Sequence, residues 1–361
     1  MTSYKSFKCN QCGSDLDYAI GLHSLKCISC GQVDPIETEP LDSYLAHDYQ
    51  QTVNHLSYLD PVIVNHELNC ENCGANFTLP TNVHSEECPY CDMNVVVPVD
   101  NQRLLAPDGV LPFEVHQHQA EESFKKWLHG LWFAPTSLKR KAIQAEAIQG
   151  SYMPLWAFDA QVESDYTGQR GDNYYTTVRV PTNVNGKTVM KNQTVVKIRW
   201  RNRSGRVFNQ FDDVVVMGSY TLPLKFQNFL SQWDLFKTQK YNEKYLSGFR
   251  SELYQVSLPD GFKLAKEVMY RTIRQTVRQD IGGDHQRIHS IDSTYHAVGF
   301  KLMLAPMWIS AFNYKKKSYR YVINGQNGKA YGERPWSIYK IIGALLLVTT
   351  IAVSIYMFSQ K

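Results

Sequence analysis

Eight cysteines fall in four Cys-x-x-Cys pairs within the first 91 residues: Cys9/Cys12, Cys27/Cys30, Cys70/Cys73 and Cys88/Cys91. A pair on a tight turn aims two sulfurs at one point, and four thiolates complete the tetrahedral shell that structural Zn²⁺ prefers. Fourteen residues lie between the pairs of each set, enough for a short β-hairpin. That is the zinc-ribbon layout. The second set repeats the first at a constant offset of 61, with Gly74 matching Gly13. Glycine there lets the backbone turn back towards the sulfurs. The expected cofactor is Zn²⁺, two ions held by these eight residues; redox thiols or a single iron site are the competing readings. Four cysteines leave no open position for water or substrate, so the expected role is structural. The metal would supply the stability that a ribbon of about 30 residues cannot draw from its own core. The start of the chain, "MTSYKSFKCN", has no apolar segment of the secretory kind, so the thiols are expected to stay in a reducing compartment, which favours metal over disulfides.

Other chemistry-bearing residues form weaker patterns. "NGKT" at 185–188 matches the end of a phosphate-binding loop, but Pro181 stands where that loop needs glycine. Helicase or ATPase activity therefore has no support, and no catalytic or cofactor-binding residue is assigned. "DIGGDHQRIH" groups Asp280, Asp284, His285 and His289, where an enzyme site would be sought first. The plainer reading is a helix ending at the glycines, with Asp284 capping the next segment. His116 and His118 read as solvated.

Charge divides the chain. Residues 1–100 hold three basic and fourteen acidic side chains, and 101–361 hold 35 basic and 20 acidic. Each Zn(Cys⁻)₄ cluster would make the head more negative by about two charges. Such a head repels phosphate, so no nucleic acid is expected at the ribbons. Docking of a basic protein surface and a purely structural role both remain open. The alternative function is nucleic-acid association through the basic body, with Arg199, Arg201 and Arg203 around Trp200 as first suspects.

The elements that position these residues follow from periodicity. Leu41, Leu45, Tyr49, Val53 and Leu56 predict an amphipathic helix with Asp42 as its cap and Pro61 as its stop. Helices are expected near 114–130, 137–148, 222–231 and, most clearly, 261–281, which ends at Gly282-Gly283. Lys263, Lys266, Arg271, Arg274 and Arg278 on the last read as a solvated face or a contact for anionic lipid. Strands fill the stretch from Tyr152, with hairpin turns expected at Asn185-Gly186 and Ser204-Gly205. "YMPLWAFDA" (152–160) is echoed by "LAPMWISAF" (304–312), which raises the reading of a body made of two related halves.

Residues 341–358 carry no charge over 18 positions, enough for about 27 Å of helix, close to the thickness of a bilayer core. Only three residues follow, too few to surround a buried helix. Lys315, Lys316, Lys317, Arg320, Lys329, Arg334 and Lys340 precede it against one acid, Glu333. Positive flanks stay in the cytoplasm, so a single-pass, tail-anchored protein with its N-terminal bulk in the cytoplasm is expected. Trp336, Tyr339 and Tyr356 suit the two interfaces, and the basic segment suits anionic lipid.

The tandem cysteine sets, "GSYMPLWAFDA", "YTGQRG", "FDDVVV", "YLSGFRSELYQV", "DIGGDHQRI", "VINGQNGKAYGERPWS" and the terminal apolar run resemble a bacterial family. It is the TFIIB-type zinc-ribbon membrane family, often labelled "primosomal protein N′ / superfamily II helicase", and includes YdjG-type membrane proteins of phage-shock operons. The resemblance implies a membrane-anchored cofactor of envelope-stress machinery in the bacterial inner (cytoplasmic) membrane. Its implied partners are cytoplasmic proteins such as phage-shock protein A or an SPFH-domain protein. It carries over no catalytic residue.

The expected fold class is therefore multidomain α+β. Two Cys₄ zinc ribbons (1–38 and 63–100) flank a linker with the amphipathic helix (39–62). An antiparallel-strand-rich α+β body comes next (101–335), then one C-terminal transmembrane helix (336–358). The expected function is a non-enzymatic scaffold that recruits cytoplasmic partners to the membrane, with oligomerisation left open.

Overall fold

The computed structural model describes residues 6–41, 46–56, 66–70, 73, 75–79, 83–89, 93–96, 105–138, 148–184, 187–222, 226, 233–315 and 317–359. Asp42, Leu45, Pro61, Gly74, Cys91, Asn185-Gly186, Lys316, and most of the helices expected at 137–148 and 222–231, lie outside the described residues. The chain is α+β, with a sheet-rich body and an apolar helix near the C-terminal end.

Three long strands form the spine. They are β10 (Gln149–Val184), β11 (Lys187–Met217) and β14 (His285–Tyr314), in the order β11-β10-β14, all antiparallel. From Ser151 to Phe158 every β10 side chain is buried, so both faces of the sheet are covered there. From Gln161 to Gly168 burial alternates, the period-2 mark of a sheet with one solvated face. Beyond Gly171 the β14 ladder stops, and residues 172–184 and 187–199 continue as a two-stranded ribbon.

The helix over the spine, α3 (Leu258–Ile281), starts three residues before its expected position. Ser257 is its N-cap, accepting from the Asp260 amide at 3.3 Å, and Pro259 fits the first turn. Phe262, Ala265, Met269, Ile273, Val277 and Ile281 bury one stripe against Trp156, Phe158, Val162, Tyr166 and Phe300. Gly282, at φ 65°, ends it. Ahead of it lie α1 (Tyr49–Leu56) and α2 (Gln117–Gly130). The α1 cap is Asp48, which accepts from the Gln51 amide at 2.7 Å. The helix starts at Tyr49 and not near Leu41, because a short strand, β4 (His47–Asp48), first pairs with β14.

The two Pro-x-Trp motifs stand side by side on the paired strands β10 and β14 and make the same bonds. The Trp156 indole donates to the Val256 carbonyl at 3.0 Å, just before the α3 cap. The Trp308 indole donates to the Val115 carbonyl at 2.9 Å, just before the α2 cap, His116. The Gly218 amide donates to the Pro154 carbonyl, and the Gly325 amide to the Pro306 carbonyl. The amides of Gln255 and Val256 donate to Gly218, and those of Glu114 and Val115 to Gly325. Two short strands, β9 (Gly109–Val110) and β13 (Arg250–Glu252), complete the correspondence: β9 pairs parallel with β14, and β13 pairs parallel with β10. Strand β12 (Gln239–Lys240) adds to the free side of β9. On the way to the apolar helix, β15 (Lys317–Asn324) folds back on β14 and pairs in turn with β16 (Ala330–Gly332).

Ser204-Gly205 is not a hairpin turn. Both residues lie inside β11, opposite Thr167 and Tyr166. Glycine serves close approach at this point: a Cβ on Gly205 would sit 2.9 Å from the Tyr166 hydroxyl and 3.0 Å from an Asp280 oxygen. Asp212-Asp213 likewise lies within β11, where Asp213, at φ 51°, donates its amide to Asp159 in a bulge. Gly168 is more tightly held, since a Cβ there would lie 2.4 Å from the Arg287 carbonyl oxygen. Gly168→Ala must displace backbone and should cost about 1–3 kcal/mol, read as a lower urea midpoint at unchanged slope.

Candidate metal centres and membrane-facing helix

The first cysteine set is built by two identical turns. The Cys9 amide donates to Ser14 and the Gly13 amide to Cys9; the Cys27 amide donates to Gln32 and the Gly31 amide to Cys27. Gly13 and Gly31 take φ near 76°, a conformation that favours glycine. The hairpin between the turns is β1 (Leu16–Ala19) and β2 (Ser24–Cys27), extended by β3 (Val33–Pro35). It brings Cys9, Cys12, Cys27 and Cys30 together, with Cys9–Cys30 sulfurs 3.5 Å apart and Cys12–Cys27 sulfurs 3.4 Å apart. A tetrahedral ion with metal–sulfur bonds of about 2.3 Å needs sulfur separations of about 3.8 Å, so the set fits such an ion. The amides of Cys12 and Gln11 lower the Cys9 thiol pKa, and hydrogen bonds from Ser14 bring Cys12 down to about 6. Both effects favour the thiolate form that a metal takes at these two positions, whereas Cys30, although the Gln32 amide lowers it, is pushed up to about 12 by its hydrogen bond with Cys9 and by desolvation.

In the second set Cys70, Cys73 and Cys88 converge, with the Cys73 and Cys88 sulfurs 3.9 Å apart. Its turns carry the first set's signature: the Cys70 amide donates to Ala75 and the Cys88 amide to Met93, each at 2.8 Å. The hairpins are β5 (His66–Asn69) with β6 (Asn76–Leu79), and β7 (Val83–Glu87) with β8 (Asn94–Val96).

Both sets are joined to the body. Tyr18 donates its amide to Ser247, whose hydroxyl donates back to Leu16. Strand β7 pairs with β13, continuing the central sheet. Cys9 and Cys27 belong to the same buried cluster as Phe113, Tyr152 and Trp308.

The remaining singled-out residues do not converge on a metal. Among the described residues, only cysteines form groups that could hold an ion. Asp280 accepts from the Tyr166 hydroxyl, and Asp284 accepts from the Asn173 amide. His285 and His289 lie on strand β14, not on a helix, which sets their backbones roughly 13 Å apart. His116 and His118 stack with ring centroids 6.1 Å apart at the start of α2. On β11, Arg199, Arg201 and Arg203 share one face with Lys191 and Lys197, while Trp200 points to the other and lies beneath Arg287. On α3, Lys266 covers the rings of Phe262 and Tyr295, while Arg271, Arg274 and Arg278 are exposed.

The apolar run forms α4 (Ile338–Ser359), about 33 Å long, with no buried residue. It is long and apolar enough to cross a membrane. Its hydroxyls bond within the helix: Thr349 to Leu345, Thr350 to Leu346 and Ser354 to Thr350. That satisfies them without water. Its first turn is fastened to the body. The Ser337 amide donates to the Phe133 carbonyl, and the Lys340 ammonium donates to the carbonyls of Trp132 and Ala134. The sequence reading did not single out this loop. Its signal was two aromatic residues ahead of a proline, "LWFAP".

No family model matches the chain, so the TFIIB-type label gains no support from one. No solved structure matches it either. The chain is 24% identical over 342 residues to the uncharacterized protein YdjG of Bacillus subtilis (strain 168), a match that covers 93% of this chain and 92% of that protein. The link is a distant one, along nearly the whole length, to a protein whose name assigns it no activity.

Proposed function

We propose that the protein is a non-enzymatic membrane scaffold with one transmembrane helix, its bulk in the cytoplasm, that recruits cytoplasmic partners to the bilayer. The observation that carries this reading is α4: an unburied apolar helix whose first turn is hydrogen-bonded to the body. Lys315, Lys317, Arg320, Lys329, Arg334 and Lys340 on the body side support the cytoplasmic orientation. The all-thiolate sets support structural Zn²⁺, including Cys91 as the fourth ligand of the second set. When bound, Zn²⁺ would cross-link the two turns of each set, while the hairpins hold the thiolates in place. Envelope stress, with phage-shock protein A or an SPFH-domain protein as partner, is the setting that the family resemblance suggests.

Deleting residues 336–361 should move the protein from the membrane fraction to the soluble fraction. A truncated chain that still sediments with membranes and resists alkaline carbonate would refute the anchor. Crosslinking in native membranes tests recruitment, and recovery of the intact protein without any cytoplasmic partner would count against it.

A second reading is favoured by β11, whose basic face carries Lys191, Lys197 and Arg199 on the two-stranded ribbon and continues through Arg201 and Arg203 in the three-stranded sheet. A two-stranded β-ribbon fits the major groove of DNA. The ribbon lies at the far end of β14 from α4, and the 30 residues of that strand give about 95 Å of contour between them. Salt-sensitive retardation of DNA by the chain lacking α4 would support this reading, and no binding at low salt would remove it.

A further inference from the structure

Three stretches far apart in sequence meet where α4 leaves the body. Pro135, Tyr314, Lys315, Lys317, Tyr319 and Trp336 line a shallow cavity of about 410 Å³ there, together with Arg334 and Pro335. The Phe133 and Trp336 rings lie 6.3 Å apart, and the Arg334 guanidinium sits 4.2 Å above the Trp336 ring. Beside them Trp132 is 82% exposed, although its neighbours Leu131 and Ala134 are buried. The loop is therefore held at both ends while its largest apolar side chain faces outwards. Its height is fixed too. Lys340, in the first turn of α4, reaches the Trp132 carbonyl at 3.2 Å and the Ala134 carbonyl at 2.8 Å. Tyr339, in the same turn, is 90% exposed.

A helix that crosses a bilayer puts its first turn at the headgroup level, where indole and phenol rings prefer to lie. We propose that the loop around Trp132 is a second lipid contact. Trp132 lodges among the headgroups beside α4, and the exposed Lys315 and Lys317 of the β14 turn take anionic phosphates. The bilayer is the chosen occupant because the loop is continuous with the apolar helix and rimmed by cations. This inference rests on the reading of α4 as a membrane-crossing helix. It adds a contact some 200 residues upstream, at a short loop, "LWFAP", that carries no basic residue.

The test uses the full chain reconstituted into phosphatidylcholine vesicles, with or without phosphatidylglycerol, carrying lipids brominated near the headgroup. Tryptophan emission is compared for the native chain, Trp132→Phe and Trp336→Phe. Trp132→Phe should lose a blue-shifted, bromine-quenched component. In the native chain that component should grow when phosphatidylglycerol is present, and Lys315→Glu/Lys317→Glu should abolish the growth. Equal quenching in the native chain and Trp132→Phe, with a quenched component still lost in Trp336→Phe, would overturn the loop contact and leave the anchor intact. A Trp132 component shielded from bromine by a second copy would overturn it as well, and crosslinking would identify the copy. Extraction of every variant by alkaline carbonate would overturn both the anchor and the contact.

Discussion

Cys27→Ser is expected to cost the chain one bound metal ion and to unfold its N-terminal unit. Cys27 is fully buried, ends β2, and brings both its sulfur and its backbone turn to the first cysteine set. A serine oxygen is a poor substitute for a thiolate in a soft, closed site. A structural Zn²⁺ contributes on the order of 10 kcal/mol to a unit of this size, comparable with the whole stability of an ordinary domain. Elemental analysis should find about one zinc fewer per chain than in the native protein. Limited proteolysis should open the unit and also expose the segment near Ser247, which bonds Leu16 and Tyr18. Unchanged zinc content would refute the assignment, and iron in place of zinc would refute the choice of ion.

Trp156→Ala should be the most damaging single change in the body. The side chain is wholly buried between α3 and the rings of Phe158, Tyr254 and Phe300. Removing a core tryptophan costs about 3–5 kcal/mol, and the unpaired Val256 carbonyl adds about 1–3 kcal/mol. Trp156→Phe keeps most of the packing and removes the donor, so it should cost only the smaller part. Urea titrations of the three proteins in the same detergent check this ordering. Equal midpoints for Trp156→Phe and the native chain would show that the Val256 bond contributes little.

The sequence and the structure agree where local chemistry decides. The cysteine turns were legible because each needs the same six positions, and the end of α3 because Gly282-Gly283 stops it; its start, marked by Ser257 and Pro259, was placed three residues late. The extent of the strands was not legible. Gly168, Gly171 and Ser204-Gly205 look like turn residues, yet all lie within long ladders, at places where another chain or ring approaches closely. A sequence presents such a glycine in the same form as a turn glycine, and only the partner across the sheet tells them apart. The Pro-x-Trp echo was visible, but its meaning depends on Gly218 and Gly325, which accept the same bonds from amides far upstream or downstream. The place of Trp132 depends on Lys340, more than 200 residues later.

The reciprocal bonds of Trp156 and Trp308 also set an order of events in time. The α2 end of the body waits for Trp308 and Gly325, and β9 waits for β14. On a ribosome making about 5–20 residues per second, the early strands must remain unclosed for many seconds. Gly325 is made only 13 residues before α4 begins. The body therefore closes at nearly the moment its apolar helix is made, so that with α4 as the proposed anchor, folding and membrane entry would fall within one event.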